Sequence, residues 1–122
     1  MKRRTLRPDA AIPELFLYRH PVDFRKSYRG LSAIVEQELG HDPFAGSLYA
    51  FVNRDRSRIK ILFWENNGFV LYYKALAEEK FRWPAPGETL MTIDGEQLNW
   101  LLDGYDIALM TPHKVLRYEA LC

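Results

Sequence analysis

The spacing of apolar residues predicts one main helix in the first third of the chain. Four apolar residues recur at the period of a single helical face: Leu31, Ile34, Val35 and Leu39. Glu36 and Glu38 lie off that face, as expected for a helix with one side in solvent. We predict a helix from residue 22 or 23 to residue 39, with Asp23 as its N-cap and Gly40 ending it.

Four other runs have the aromatic and β-branched content of strands. They are residues 14–19, 47–52, 58–64 and 69–74. The last two are separated by a short polar stretch in which Asn67-Gly68 is a strong hairpin signal, because both residues adopt a positive φ at low cost. The last three runs therefore predict an antiparallel meander, which the first run could join.

The second half of the chain is predicted to be less regular. We expect a short helical turn over residues 75–80 and an irregular loop over residues 81–87, which contains two prolines. Asp94 and Gln97 have the spacing of a capping box for a second helix that Gly104 ends. The predicted fold class is α+β, with an antiparallel sheet of three to four strands packed against one main helix and a short C-terminal helix.

Composition describes an ordinary domain. The chain has 122 residues, 48% of them hydrophobic, and one cysteine, Cys122, so an intramolecular disulfide is excluded. No apolar run approaches the roughly 20 residues that span a bilayer. We expect a soluble, cytoplasmic protein with no membrane contact. Its organisation is predicted as a flexible basic arm over residues 1–13, one domain over residues 14–104, and a tail over residues 105–122 whose structure the pattern does not assign.

The formal net charge of +1 conceals two unlike halves. Residues 1–60 hold 12 lysines and arginines against 7 acidic residues, whereas residues 61–122 hold 5 against 9. Such a segregation indicates one region of the surface that accepts polyanions, including nucleic acid, and another that does not.

Signatures of catalysis are absent from the sequence. The three histidines and Cys122 are too far apart in the chain for a zinc motif, and no nucleophile elbow or phosphate-binding loop is present. Acidic side chains that could bind Mg²⁺ are Asp23, Asp42, Asp55 and Glu65, but for each of them a structural role, as a helix cap, turn residue or loop charge, is the favoured interpretation. We therefore predict no catalytic residue, no metal and no cofactor, and keep a metal-dependent nuclease acting through Asp23 and Asp42 as the less favoured alternative.

Two basic clusters are the candidate site. One lies at the predicted helix start and comprises Arg25, Lys26 and Arg29. The other follows a loop into a strand and comprises Arg54, Arg56, Arg58 and Lys60. The last three alternate, which would align them on one face of a strand as a ridge for phosphates. The alternative is an exposed face of solvated cations with no ligand.

Aromatic residues form the second candidate set, for contact with protein. It comprises Trp64, Tyr72, Trp83 and Pro84. Tyr72 and Tyr73 are predicted to face opposite sides of a strand, so one of them should lie outside the core. Trp83-Pro84 falls in an irregular loop, where an exposed Trp would be a good protein contact. Burial in the core is the alternative for each ring.

Three segments of the chain carry a family resemblance. They are PVDFRKSYRGL, HDPFAGSLYAFVNRDRSRIKILFWENNGFVLYYKALAEEKFRWP and EQLNWLLDG, in that order. Over about residues 17–104 the chain resembles the TnpB accessory proteins, the second open reading frame products of bacterial insertion sequences of the sixty-six family. These are unrelated to the RNA-guided nuclease of the same name. Such elements also encode a larger DDE-type transposase and a third small protein.

The resemblance implies a part in DNA transposition without an established catalytic activity. We therefore expect a non-catalytic accessory protein that contacts the backbone of double-stranded DNA through the two basic clusters. The implied partners are the element's transposase and its other small protein, and the aromatic residues make a second copy of this chain a further candidate partner. The alternative is a pure protein adaptor for the transposase that does not touch DNA.

Overall fold

A computed structural model describes residues 6–85 and 87–110. The described residues form five strands, β1 (Leu15–Tyr18), β2 (Tyr49–Val52), β3 (Arg58–Glu65), β4 (Gly68–Ala75) and β5 (Leu90–Ile93). They also form a helix α1 (Tyr28–Ala33) that continues as a π-helical stretch (Ile34–Glu38), a second helix α2 (Gly95–Leu102) and a 3-10 turn (Ile107–Leu109). This confirms the α+β class.

The sheet is mixed and has the strand order β4-β3-β2-β1-β5. β1 runs parallel to β2, with Phe16 opposite Tyr49, and α1 lies in the connection between them. The prediction of an antiparallel sheet of three to four strands was therefore wrong. Residues 19–48 are long enough for a crossover through a helix, which parallel neighbours require. The fifth strand, β5, is only four residues long and pairs with β1, so local periodicity did not indicate it.

Helices cover both faces of the sheet. On one face, α1 and the π-helical stretch bury Leu31 and Val35 against Phe51 and Leu62. On the other face, α2 packs its leucines onto residues such as Ile61. Neighbouring residues of β3 thus enter different cores, because side chains of a strand alternate between its faces. We call the two sides the α1 face and the α2 face.

The main helix begins later than its periodicity predicted. It starts at Tyr28 rather than at residue 22 or 23, and Ser27 occupies the N-cap position. Asp23 is not a helix cap, because its carboxylate accepts the backbone N–H of Arg25 at 2.9 Å and holds a tight turn. The predicted end is confirmed, since Gly40 adopts a φ of +67° just beyond the π-helical stretch.

The second helix agrees with the prediction at both ends. The Asp94 carboxylate accepts the backbone N–H of Gln97 at 2.8 Å, and the Gln97 side chain accepts the backbone N–H of Asp94 at 3.0 Å. At the other end, the Lys74 ammonium donates to the Leu102 carbonyl at 2.8 Å, where a cation favours the exposed carbonyls of a helix terminus.

Part of the segment predicted as a flexible basic arm is packed onto α2. Arg7 forms an ion pair with Asp103 at 2.9 Å, and the Gly95 N–H donates to the Ile12 carbonyl at 2.8 Å. A side chain at Gly95 would collide with the Asp9 carbonyl, so a glycine is needed there. Arg7 and Ile12 of this segment thus contact α2 or the residue that follows it, and residues 1–5 and 111–122 lie outside the described residues.

Two local predictions need correction. No helical turn forms over residues 75–80, since Ala75 ends β4 and the next residues are irregular. The hairpin turn itself lies over residues 65–68 as predicted, since Glu65 pairs with Gly68, but the positive φ, +52°, falls on Asn66 rather than on Asn67 or Gly68. Among residues 6–85 and 87–110, no helix has the length and apolar content to cross a membrane.

Candidate nucleic-acid interface

An open cavity of about 620 Å³ lies where the two basic clusters approach each other. Residues 21–25, ahead of α1, form one wall, and the connection between β2 and β3 forms the other. Three arginines line it: Arg25 from the first wall, and Arg54 and Arg58 from the second. We call this the arginine cavity. The structure therefore brings together one cation of the first predicted cluster and two of the second.

Two sets of hydrogen bonds hold the first wall against the sheet. The Val22 N–H donates to the Val52 carbonyl at 2.9 Å. The Lys60 ammonium, on β3, donates to the carbonyls of Phe24 at 2.9 Å and Lys26 at 2.8 Å. Burial lowers the pKa of Lys60. Lys60 was predicted as a phosphate contact, but its ammonium is occupied by these two carbonyls and supports the wall that carries Arg25.

A single asparagine organises the second wall. The Asn53 side-chain oxygen accepts the backbone N–H groups of Ser57 and Arg58, both at 3.0 Å, and its amide donates to the Ser57 hydroxyl at 3.2 Å. These bonds close the β2–β3 connection into a compact turn. Arg54 and Arg58 therefore leave a constrained backbone rather than a long free loop.

The three arginines of the cavity differ in whether an acidic side chain neutralises them. The Arg25 guanidinium donates to both carboxylate oxygens of Asp23, at 3.1 and 2.9 Å. This hydrogen bonding, with the Arg25 backbone N–H, lowers the pKa of Asp23 to about 2. Within the described part of the chain, Arg54 and Arg58 are exposed and have no acidic side chain bound to them. Asp55, which is also exposed, lines the same cavity, so its lining holds three arginines and two aspartates. Among the described residues, Arg54 and Arg58 are the two cavity arginines that form no ion pair and are available to an anion.

Other predicted cations lie elsewhere. Arg56 adopts a φ of +61° in the turn, not a strand conformation, and borders a separate cavity of about 540 Å³ with Lys80 and Arg82. The predicted ridge of Arg56, Arg58 and Lys60 therefore does not form. Lys26 and Arg29 are exposed at the start of α1, and the Arg29 guanidinium donates to the Tyr28 hydroxyl at 3.2 Å.

The two carboxylates of the nuclease alternative have structural partners. Asp23 binds Arg25, and Asp42 accepts the backbone N–H of Phe44 at 2.9 Å. In the ranges 6–85 and 87–110, no three His, Cys, Asp or Glu side chains come close enough to share a metal ion.

An exposed aromatic cluster lies at the other end of β3. It comprises Tyr28, Phe44, Trp64 and Phe69. The ring centroids of Trp64 and Phe69 are 5.0 Å apart, as are those of Phe44 and Trp64. Phe44 is 55% exposed and Tyr28 41% exposed. Sequence reasoning selected Trp64 but not Phe44, although an aromatic ring in the polar turn HDPFAG was a usable signal of exposure.

The remaining predicted protein contacts are less accessible. Trp83 is only 7% exposed, and its indole N–H donates to the Tyr18 carbonyl at 3.3 Å, so the expectation of an exposed Trp83 was wrong. The loop that contains Trp83 folds back onto the sheet, and Pro84, the residue after Trp83, is half-buried. Tyr72 packs against the core of the α2 face, while Tyr73 is 50% exposed, which confirms that one residue of this pair lies outside the core.

The sequence of this chain is similar to one protein-family model and to two curated bacterial proteins. The family model described as IS66 Orf2 like protein matches residues 13–112. The uncharacterized protein y4jC of Sinorhizobium fredii is 31% identical over 86 residues, which are 70% of this chain and 74% of that protein. The uncharacterized protein y4hO of the same organism is 31% identical over 84 residues, 69% of this chain and 73% of that protein. No solved structure matches the chain significantly.

Proposed function

Since the chain belongs to the IS66 Orf2-like family, we propose that it is a non-catalytic accessory protein of transposition that contacts the DNA backbone through the arginine cavity. The family match confirms the resemblance that the sequence segments indicated, and it supports a role in the movement of an insertion sequence. The matched range includes both walls of the cavity.

The observation that carries this proposal is the convergence of Arg25, Arg54 and Arg58 on one open cavity. Arginine presents several N–H donors in a plane, and this geometry suits phosphate oxygens. Phosphate contacts position a protein on a duplex without reading its sequence. The proposed contact is therefore electrostatic and tolerant of DNA sequence.

Fluorescence anisotropy with a labelled DNA duplex tests the proposal. The full chain should bind at low salt, and replacing both Arg54→Ala and Arg58→Ala should weaken binding by about tenfold or more, because each exposed phosphate contact is lost. Arg82→Ala is the matched control, since this exposed arginine does not line the cavity. Absence of binding at low salt, or equal loss in the control and the double variant, would contradict the proposal.

The aromatic cluster favours a second candidate, an adaptor that binds the transposase without DNA. Large rings that are half-exposed and packed on one another are typical of protein-binding hot spots. Pull-down of purified transposase by the full chain, in the presence of nuclease, separates the two candidates. Retention that Phe44→Ala abolishes supports the adaptor, whereas retention lost on nuclease treatment supports a DNA-mediated association.

A further inference from the structure

The strand β4 forms one edge of the sheet and is the feature from which the inference starts. It spans eight residues and is hydrogen-bonded to β3 on one side. Among residues 6–85 and 87–110, no backbone hydrogen bond joins residues 68–75 to a segment on the other side. Alternate residues of an antiparallel strand point their N–H and C=O groups away from the neighbour. Within the described part of the chain, the outer side of β4 is therefore a row of unpaired backbone donors and acceptors.

The sequence of β4 lacks the features that usually keep an edge strand from pairing. Its residues GFVLYYKA include no proline and no acid, and its one charge, Lys74, is directed to the carbonyl of Leu102. Edge strands are commonly protected by charges, prolines, bulges or short length. The opposite edge, β5, has only four residues, of which Thr92 is exposed.

Apolar surface flanks β4 on both faces. On the α2 face, Phe63, Val70 and Tyr72 line an open, mainly apolar cavity of about 480 Å³. On the α1 face, the aromatic cluster includes Phe69. A partner that only filled a groove would cover one of these surfaces, whereas a strand that extends the sheet adds side chains to both.

We infer that β4 pairs in antiparallel fashion with β4 of a second copy of this chain, about a two-fold axis that passes midway between the two Leu71 residues. In that register Leu71 lies opposite itself, Val70 opposite Tyr72, and Phe69 opposite Tyr73. Lys74 lies opposite Gly68, so no like charges face each other. Aromatic and aliphatic pairs of this kind stabilise antiparallel strands. The outer edge of β4 is thus complementary to itself, so both copies use the same surface in the interface.

The inferred dimer has a consequence that rests on the proposed function. An axis perpendicular to the sheet leaves the α1 faces of both copies on the same side. Arg58 pairs with Ala75, four residues beyond Leu71, so the two arginine cavities would lie about 30 Å apart at the rise of 3.4 Å per residue and the spacing of adjacent strands. This is close to one helical turn of DNA, about 34 Å. Two cavities could then contact one side of a duplex.

Light scattering coupled to size exclusion, in the absence of DNA, tests the inference. The wild-type chain should elute at twice its mass of 14.4 kDa. Leu71→Lys and Leu71→Glu should each elute as monomers, because like charges would face each other across the axis. An equimolar mixture of the two should recover the dimer, since the register then places Lys opposite Glu. Thr92→Lys, which adds the same charge to the β5 edge, should remain dimeric.

Circular dichroism of each variant shows whether it is folded, and the recovery of a dimer in the mixture shows that both chains remain competent to pair. A wild-type chain that stays monomeric at high concentration would overturn the inference. That result would do so even if β4 then proved to bind a strand of another protein. Failure of the mixture to recover the dimer would also overturn it. DNA binding is measured separately, so loss of the proposed function with an intact dimer, or the reverse, can be recognised.

Discussion

The α1 face carries two unlike surfaces at the two ends of β3. At the first end, Arg58 borders the arginine cavity, which contains charged groups held by backbone hydrogen bonds. At the second end, Trp64 belongs to the aromatic cluster, which is held by ring packing. Arg58 and Trp64 are six residues apart along β3, so the two surfaces are separated by about 20 Å at about 3.3 Å per residue. The proposed DNA contact rests on the charged end, and the competing adaptor candidate rests on the aromatic end.

The two surfaces also depend on the fold in different ways. The arginine cavity requires distant segments to meet, because Lys60 on β3 binds the carbonyls that precede α1. The aromatic cluster includes Trp64 and Phe69, which face each other across the β3–β4 hairpin. Changes that loosen the segment before α1 should therefore impair the first surface and spare the second.

Among changes aimed at the two surfaces, the largest effect is expected for Lys60→Met, which keeps the apolar stem beside Phe24 but removes both hydrogen bonds. We expect the free energy of unfolding to fall by about 1 to 2 kcal/mol, because two backbone carbonyls, one part-buried and one exposed, lose a charged donor. DNA binding should weaken although Lys60 touches no phosphate. Urea denaturation and anisotropy measure the two effects, with Lys80→Met, an exposed lysine, as control. Weaker DNA binding with unchanged stability would instead make Lys60 a direct contact.

A smaller effect on the fold is expected for Phe44→Ala at the aromatic cluster. Its ring is more than half exposed, so the free energy of unfolding should fall by less than about 1 kcal/mol. Binding to DNA should not change under the proposed function, whereas the adaptor candidate requires that retention of the transposase be lost. Trp83→Ala is the informative contrast, because truncating this buried indole should destabilise the chain by about 3 kcal/mol or more. Equal stability of the two variants would contradict the assignment of an exposed and a buried ring.

The smallest effect is expected for Asp23→Asn in the arginine cavity. The substitution removes the negative charge beside Arg25 and keeps an oxygen that can accept the turn's backbone N–H. DNA affinity at neutral pH should therefore rise by a few fold, since the cavity gains net positive charge. An unchanged or lower affinity would show that Arg25 does not face the ligand.

The same carboxyl group has a defined pH dependence. Because the pKa of Asp23 is lowered to about 2 from the ordinary 3.8, its ion pair stabilises the folded state above pH 3.8 and is lost as the pH falls through 2. An NMR titration of the Asp23 carboxyl carbon should give a midpoint near pH 2. A midpoint near 3.8 would show that the pair with Arg25 does not persist in solution.

Sequence reasoning was most successful where the relevant interactions are local. The capping box of Asp94 and Gln97 spans three residues, and Gly40 ends its helix within one turn, so both could be predicted. The parallel pairing of β1 with β2 and the addition of β5 depend on segments far apart in the chain. Such contacts leave no periodic signal, and the strand count was therefore too low.

The candidate site shows the same limit. The residue types of a phosphate-binding surface could be read from the sequence, but not which cations are already occupied. Lys60 is directed to two carbonyls and Arg56 leaves a turn with positive φ, and neither could be known without the course of the backbone. Trp83 was misjudged because an irregular loop can still fold its side chains into the core.

The most direct test of the account is the salt dependence of DNA binding by the full chain. The logarithm of the association constant should fall linearly with the logarithm of salt concentration, by about 0.9 for each phosphate contacted. Replacing Arg54→Ala together with Arg58→Ala should reduce that slope by about two, while Phe44→Ala should leave it unchanged. An unchanged slope in the double variant, or a reduced slope in Phe44→Ala, would contradict the assignment of DNA to the arginine cavity.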